Sequence, residues 1–183
     1  MSLTPSSMLP IGTIAPNFTL PCVTTNSYVS INDNIGRFGT VIMFICNHCP
    51  YVKHVNSTIS KISNKYSQEI SFIAISSNDI VNYPDDSPEN LKKQAIDNQF
   101  NFPYLYDKTQ NIAKQYNAAC TPDIYLFDSK LSLVYRGQLD DSRPGNNIKC
   151  TGNDLIYAIN CLINGKINER YQKPSIGCNI KWK

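Results

Sequence analysis

Thr40-Val41-Ile42-Met43-Phe44-Ile45 is a continuous, largely apolar and β-branched run that leads directly into Cys46-Asn47-His48-Cys49-Pro50. A run with no wet face reads as a strand buried on both sides of a sheet. Past Cys49 the period changes. Val52, Val55, Ile59, Ile62 and Tyr66 recur at steps of three and four, which marks one face of a helix. A buried strand feeding a helix points to layered α/β architecture and puts two thiols at the junction. The spacing predicts Cys46 at the turn and Cys49 in the first helical turn. Free N–H groups and the positive end of the helix dipole favour a thiolate there. The thiolate is the reactive form of cysteine, and such sites bring its pKa below the free value of ~8.5.

Two chemistries use C-x-x-C. One is a redox dithiol. The other is half of a metal site, with Cys46, Cys49 and His48 or His54 as ligands. A structural zinc site draws a second ligand pair from elsewhere. Both histidines of this chain lie in this one stretch, and there is no second C-x-x-C. The strand–C-x-x-C–helix context therefore favours the redox reading, with metal binding as the alternative.

The chain has 183 residues, 42% of them hydrophobic, which suits one domain. Its net charge of +3 is too small to argue for nucleic acid or an anionic membrane. No apolar run approaches the ~20 residues of a membrane span. The N-terminal stretch lacks a basic region followed by an apolar core, so a cytoplasmic location is expected. Seven cysteines cannot all pair, and in a reducing compartment most stay thiols.

In chain order, residues 1–11 read as a loose arm. Residues 18–23 and 28–30 read as a short hairpin. The long helix is expected to end near 67–69, followed by a buried strand over 70–76. Ser87 is a plausible N-cap with Pro88 at the first helical position, opening a helix that runs to about Gln99. Residues 102–106 read as a strand and 110–116 as a short helix. Strands 123–127 and 131–136 form a hairpin through Asp128-Ser129-Lys130. An amphipathic helix covers 153–164, with Gly165 as its stop. Residues 165–183 read as an irregular tail. The order gives a parallel core extended by antiparallel strands, with helices on both faces.

Four segments together resemble the thioredoxin superfamily, and within it the AhpC/TSA, peroxiredoxin-like branch. They are Gly12-x-x-Ala15-Pro16-x-Phe18-x-Leu20, Phe44-x-Cys46-Asn47-His48-Cys49-Pro50-x-Val52, Cys120-Thr121-Pro122-Asp123, and Pro174-Ser175-Ile176-Gly177-Cys178-Asn179-Ile180-Lys181-Trp182. The resemblance implies a thioredoxin-like fold of the redoxin variant, a central mixed β-sheet flanked by helices with an N-terminal β-hairpin. It also implies a cis Pro122 facing the dithiol. By that likeness Thr121 pairs its backbone with a bound substrate strand, and Pro122 and Pro50 border the binding site.

The chain also departs from the family. Ile45 stands where thioredoxin has Trp, and Thr40 where it has a buried carboxylate. Peroxiredoxins carry Thr or Ser three residues before the peroxidatic cysteine, where this chain has Cys46, and an arginine that is missing around 118–121. These departures count against a dedicated peroxidase. His48 sits between the cysteines as in disulfide isomerases and DsbA, where such a histidine stabilises the neighbouring thiolate. His54 reads as a residue of the solvated helix face. Cys120, beside Pro122, is a candidate third thiol, with packing as the alternative. Cys178 is a candidate resolving thiol on the same terms.

The reading is a thiol–disulfide oxidoreductase in which Cys46 attacks and Cys49 resolves, with no cofactor and no metal. The expected partners are a protein or small-molecule disulfide and a separate thiol reductant. The chain itself is expected to be a monomer or weak homodimer. The alternatives are a thiol peroxidase of AhpC/TSA type and a metal-binding module on Cys46, Cys49 and a histidine.

Overall fold

The computed structural model describes residues 3–183. In chain order the strands and α-helices are β1 (Leu3–Pro5), β2 (Thr19–Pro21), β3 (Tyr28–Ser30), β4 (Gly39–Phe44), α1 (Pro50–Lys65), β5 (Ile70–Ser76), α2 (Pro88–Asp97), β6 (Tyr104–Tyr106), α3 (Asn111–Gln115), β7 (Cys120–Thr121), β8 (Asp123–Asp128), β9 (Leu133–Gly137), α4 (Asn153–Ile163) and β10 (Ile176–Asn179).

β4 is the middle of a five-stranded sheet ordered β6-β5-β4-β8-β9. It runs parallel to β5, pairing Gly39 with Ile70 through Phe44 with Ile75, and antiparallel to β8. All six of its residues are buried, as its unbroken apolar run requires. The two-residue period of the strand splits them. Val41 and Met43, continued by Ile45, join one core with Val52, Val55, Ile59 and Ile62 of α1, Leu91 and Ala95 of α2, and Leu155 and Ile159 of α4. Ile42 and Phe44 join the other core, with Ile73, Ile75, Tyr125, Phe127 and Tyr116. Each buried aliphatic of α1 is worth ~1.5–3 kcal/mol, so packing rather than intrinsic propensity holds that helix on the sheet.

The central mixed sheet, its flanking helices and the β2–β3 hairpin are as the sequence indicates. The helix and strand boundaries shift by a few residues. α1 ends at Lys65 because the chain turns there, with Ile70 N–H donating to the Tyr66 carbonyl. Ser87 does cap α2, its hydroxyl accepting from Asn90 N–H at 3.4 Å.

Two expectations are corrected. The arm over residues 1–11, whose first two residues lie outside the described residues, contains β1. The tail over 165–183 contains β10. With β7 they form a second sheet in the order β1-β10-β7. The strands are two to four residues long, and their pairing joins the two ends of the chain to its middle. No local period marks segments that short. Among the described residues no helix is long and apolar enough to cross a membrane.

Candidate active site

β4 delivers Cys46 one residue past Ile45, and α1 begins at Pro50, which makes Cys49 the N-cap of the helix. This corrects the placement of Cys49 inside the first turn: the proline at the first helical position fixes the start. Both sulfurs are sealed. Cys46 and Cys49 are each 0% exposed. No disulfide is formed among the described residues.

The Thr121–Pro122 peptide is cis and lies against the pair. Cys46 Sγ is 3.4 Å from Thr121 Oγ1, and Cys49 Sγ is 3.2 Å from the Thr121 carbonyl oxygen. Thr121 has a neighbour on one side. In β7 it is already paired with Cys178 of β10, and Cys120 with Asn179. β10 thus occupies one side of the residue expected to receive a substrate strand, and β7 is the end strand of its sheet. Pro122 is buried and lines a groove with Tyr51, Val55, Leu139 and Ile176. Pro50 is exposed at the start of α1.

The same pairing brings in a third thiol. Cys178 Sγ lies 2.9 Å from Cys49 Sγ. Cys120 is not the third member of the cluster: its sulfur faces the carbonyls of Pro122 at 3.5 Å and Ser175 at 3.9 Å, and burial pushes its pKa far up. Alternation along β7 and β10 explains the exchange, because neighbours on a strand face opposite sides.

The electrostatics separate the two cysteines of the motif. A hydrogen bond from Cys46, then those from Cys178 and Thr121, outweigh burial and bring Cys49 down to about 4. Its N-cap position works in the same direction. Cys46 moves the other way. Burial, the loss of its proton-sharing bond to Cys49, and the nearby charge of Asp86 hold it well above the usual thiol value. Cys178 is pushed up to about 12, by burial first and then by its bond to Cys49. These effects lower Cys49 and raise Cys46, the reverse of the order to which the sequence alone points.

The carboxylate that the motif lacks at Thr40 comes from another element. Asp86, fully buried, stands in a short 3₁₀ turn ahead of α2. It accepts Asn47 N–H at 2.8 Å, His48 N–H at 3.0 Å, His48 Nδ1 at 2.5 Å and Asn78 Nδ2 at 2.7 Å. Burial pushes its carboxyl up, but the bonds from His48 and Asn78 and the attraction of His48 hold it below the usual range. His48 also stacks on Tyr83, with centroids 5.5 Å apart. The imidazole expected to serve the Cys46 thiolate is thus bonded to Asp86, whose charge opposes that thiolate. Sequence reasoning missed Asp86. The only signal was two aspartates in a proline-bearing polar loop, and such a loop ordinarily sits in water. His54 is also not simply solvated: its Nε2 is 3.0 Å from Ser142 Oγ.

Behind the cis-proline loop, Asp123 is buried and ties four segments together. It accepts Ser6 Oγ at 2.9 Å, Arg136 Nη2 at 3.0 Å and Ala119 N–H at 3.2 Å. For metal binding, one ligand atom each from Cys46, His48 and Asp86 fall within 4.8 Å of one another. In that set the His48 Nδ1 and the Asp86 oxygens are already spent on each other and on Asn78 and the backbone.

A dithiol at a strand-to-helix turn, packed on a cis-proline loop over this sheet order, defines a redox protein of the thioredoxin-like kind. The chain belongs to the AhpC/TSA family, whose model matches residues 11–136. No curated protein matches it. Among solved structures it is similar to an uncharacterized conserved protein from Geobacillus kaustophilus, with 52% identity, 100% of this chain and 97% of that one covered, and a TM-score of 0.98. It is similar to a hypothetical protein from Sinorhizobium meliloti 1021, with 38% identity, 98% of each chain covered and a TM-score of 0.95. A secreted Mycobacterium tuberculosis disulfide oxidoreductase homologous to Escherichia coli DsbE shares the fold at 13% identity, with 79% and 95% covered and a TM-score of 0.60.

Proposed function

We propose that the protein is a thiol–disulfide oxidoreductase working through Cys46 and Cys49, with Cys49 as the attacking sulfur. The observation that carries this reading is the polarisation of the pair. Cys49 stands at the N-terminus of α1 with Cys178 Sγ 2.9 Å away, and its pKa is lowered while that of the neighbouring Cys46 is raised. Cys49 thiolate attacks one sulfur of a disulfide RS–SR′, forming Cys49–S–SR and releasing R′S⁻. Cys46 then gives up its proton and attacks Cys49 Sγ. The bond to the substrate sulfur breaks, RS⁻ leaves, and Cys46–Cys49 remains as a disulfide. The proton goes to the departing thiolate. Two electrons pass from the dithiol to the substrate, and an external thiol reductant restores them.

The test is turnover of glutathione disulfide with dithiothreitol as reductant. Cys49→Ser should abolish it, and Cys46→Ser should slow it at least tenfold. Wild-type turnover by Cys49→Ser would overturn the reading.

A second reading, thiol peroxidase, draws on the same low Cys49 pKa, since a peroxidatic sulfur must also be a thiolate. Its weakness is the missing cation. Arg136, the fully buried arginine of the sheet, is bonded to Asp123 and the Asn117 carbonyl. Stopped-flow oxidation by hydrogen peroxide should be slow beside disulfide exchange. A faster peroxide reaction, lost in Cys49→Ser, would reverse the ranking.

A further inference from the structure

β10 is built to bring one side chain to the dithiol. It runs between β1 and β7, with Cys178 opposite Leu3 on one side and Thr121 on the other. The approach to Thr121 is close enough to require glycine next door. A Cβ on Gly177 would stand 1.9 Å from the Thr121 carbonyl oxygen and 2.7 Å from its carbon. The strand is fastened at both ends. Ser175 Oγ donates to the Gly137 carbonyl at 2.7 Å, Lys181 N–H donates to Asn78 Oδ1 at 2.8 Å, and the Lys181 carbonyl accepts from Asp79 N–H at 2.8 Å. Within that frame the Cys178 and Cys49 sulfurs, far apart in sequence, are 2.9 Å apart. A disulfide bond is ~2.05 Å long, so a sub-ångström approach would bond them.

We propose that Cys178 is a second resolving thiol for Cys49, so that the chain forms two alternative disulfides, Cys46–Cys49 and Cys49–Cys178. This rests on the reading of Cys49 as the attacking sulfur. Starting from Cys49–S–SR, the Cys178 thiol loses its proton and attacks Cys49 Sγ. The Cys49–SR bond breaks, RS⁻ takes the proton, and the Cys49–Cys178 bond forms. No oxidant beyond the substrate disulfide is consumed. Once Cys49 carries the substrate sulfur its negative charge is gone, which removes one of the causes that keep Cys178 protonated. The two products differ mechanically. Cys46–Cys49 closes a four-residue loop, whereas Cys49–Cys178 staples the start of α1 to the centre of the β1–β10–β7 sheet and leaves Cys46 as a thiol.

The experiment treats the reduced full chain with glutathione disulfide, quenches with acid, alkylates the remaining thiols and maps disulfides by peptide mass spectrometry. The wild type should contain the Cys49–Cys178 peptide beside Cys46–Cys49. Cys46→Ser should convert its Cys49–glutathione adduct to Cys49–Cys178, and Cys46→Ser/Cys178→Ser should accumulate the adduct at least tenfold over Cys46→Ser. A wild-type map with Cys46–Cys49 alone, together with a Cys46→Ser adduct as persistent as that of the double variant, overturns the role of Cys178 and leaves the dithiol reading standing. A wild type that forms no intramolecular disulfide on Cys49 overturns both. The wild-type map decides the question if a variant fails to fold.

Discussion

Asp86 Oδ2 and His48 Nδ1 stand 2.5 Å apart, and the carboxylate also anchors the Asn47 and His48 backbone amides. The turn between the two cysteines is therefore shaped by a residue from the loop before α2. In Asp86→Asn the amide cannot accept all four donors, and each buried group left unsatisfied costs ~1–3 kcal/mol. Urea unfolding at neutral pH should show a loss of at least that size. Asp86 has a folded-state pKa below its unfolded value, so its stabilisation is full above the unfolded value of ~3.9 and is lost as pH falls through the folded one. The variant should have a shallower decline in stability below pH ~4, and an unchanged acid limb would refute the argument.

Reduced wild-type protein should carry Cys49 as a thiolate at neutral pH. Its ultraviolet absorbance should disappear with a midpoint of about 4 and be absent in Cys49→Ser. Cys46→Ala removes the largest cause of the depression and should raise the midpoint. Because the folded value lies below the unfolded ~8.5, Cys49 makes reduced protein more stable as pH rises from about 4 toward ~8.5. A midpoint near 8.5 in the wild type would remove the case for Cys49 as nucleophile.

Gly177→Ala should unseat β10. The added methyl collides with backbone of Thr121, which has no flexible end to swing away. Overpacking of this kind costs ~1–3 kcal/mol or more. The urea midpoint should fall accordingly, and a midpoint equal to wild type would show that the strand does not need its close approach.

Arg136→Met should be among the most damaging single changes. Arg136 and Asp123 are both fully buried, and Arg136 lies over Tyr125 at 4.5 Å. Removing one partner strands the other's charge, at ~3–5 kcal/mol. Burial already pushes Asp123 up against the opposing pull of Arg136, so the loss should drive it further up. Arg136→Met/Asp123→Asn should lose less than the sum of the single changes in urea unfolding; strict additivity would count against the pair.

The five-stranded sheet was legible in the sequence because its central strands are largely apolar and its helices keep a 3.6-residue period. β4 could hardly be read otherwise. The second sheet was not legible. Leu3–Pro5 and Ile176–Asn179 have no period of their own and exist as strands only because each finds the other. The cysteine pair was legible from spacing, but its polarity was not. Which sulfur holds the charge depends on Asp86 and Cys178, which fold in from 37 residues beyond Cys49 and from a separate sheet. Cys120 shows the converse error: closeness to Pro122 in sequence placed it near the pair, and strand alternation turned it away.

Burial of both active sulfurs has a kinetic consequence. With Cys46 and Cys49 at 0% exposure, no dissolved disulfide can meet either one until the surface above them parts. Local opening of this kind has its own rate, independent of what waits outside. At low reagent concentration the reaction should follow the reagent. At high concentration it should level off at the opening rate, without any binding complex, and at the same plateau for chemically unrelated disulfides. The barrier that decides how fast this protein is oxidised would then belong to the fold rather than to sulfur chemistry, and it would respond to viscosity and temperature as a conformational motion does.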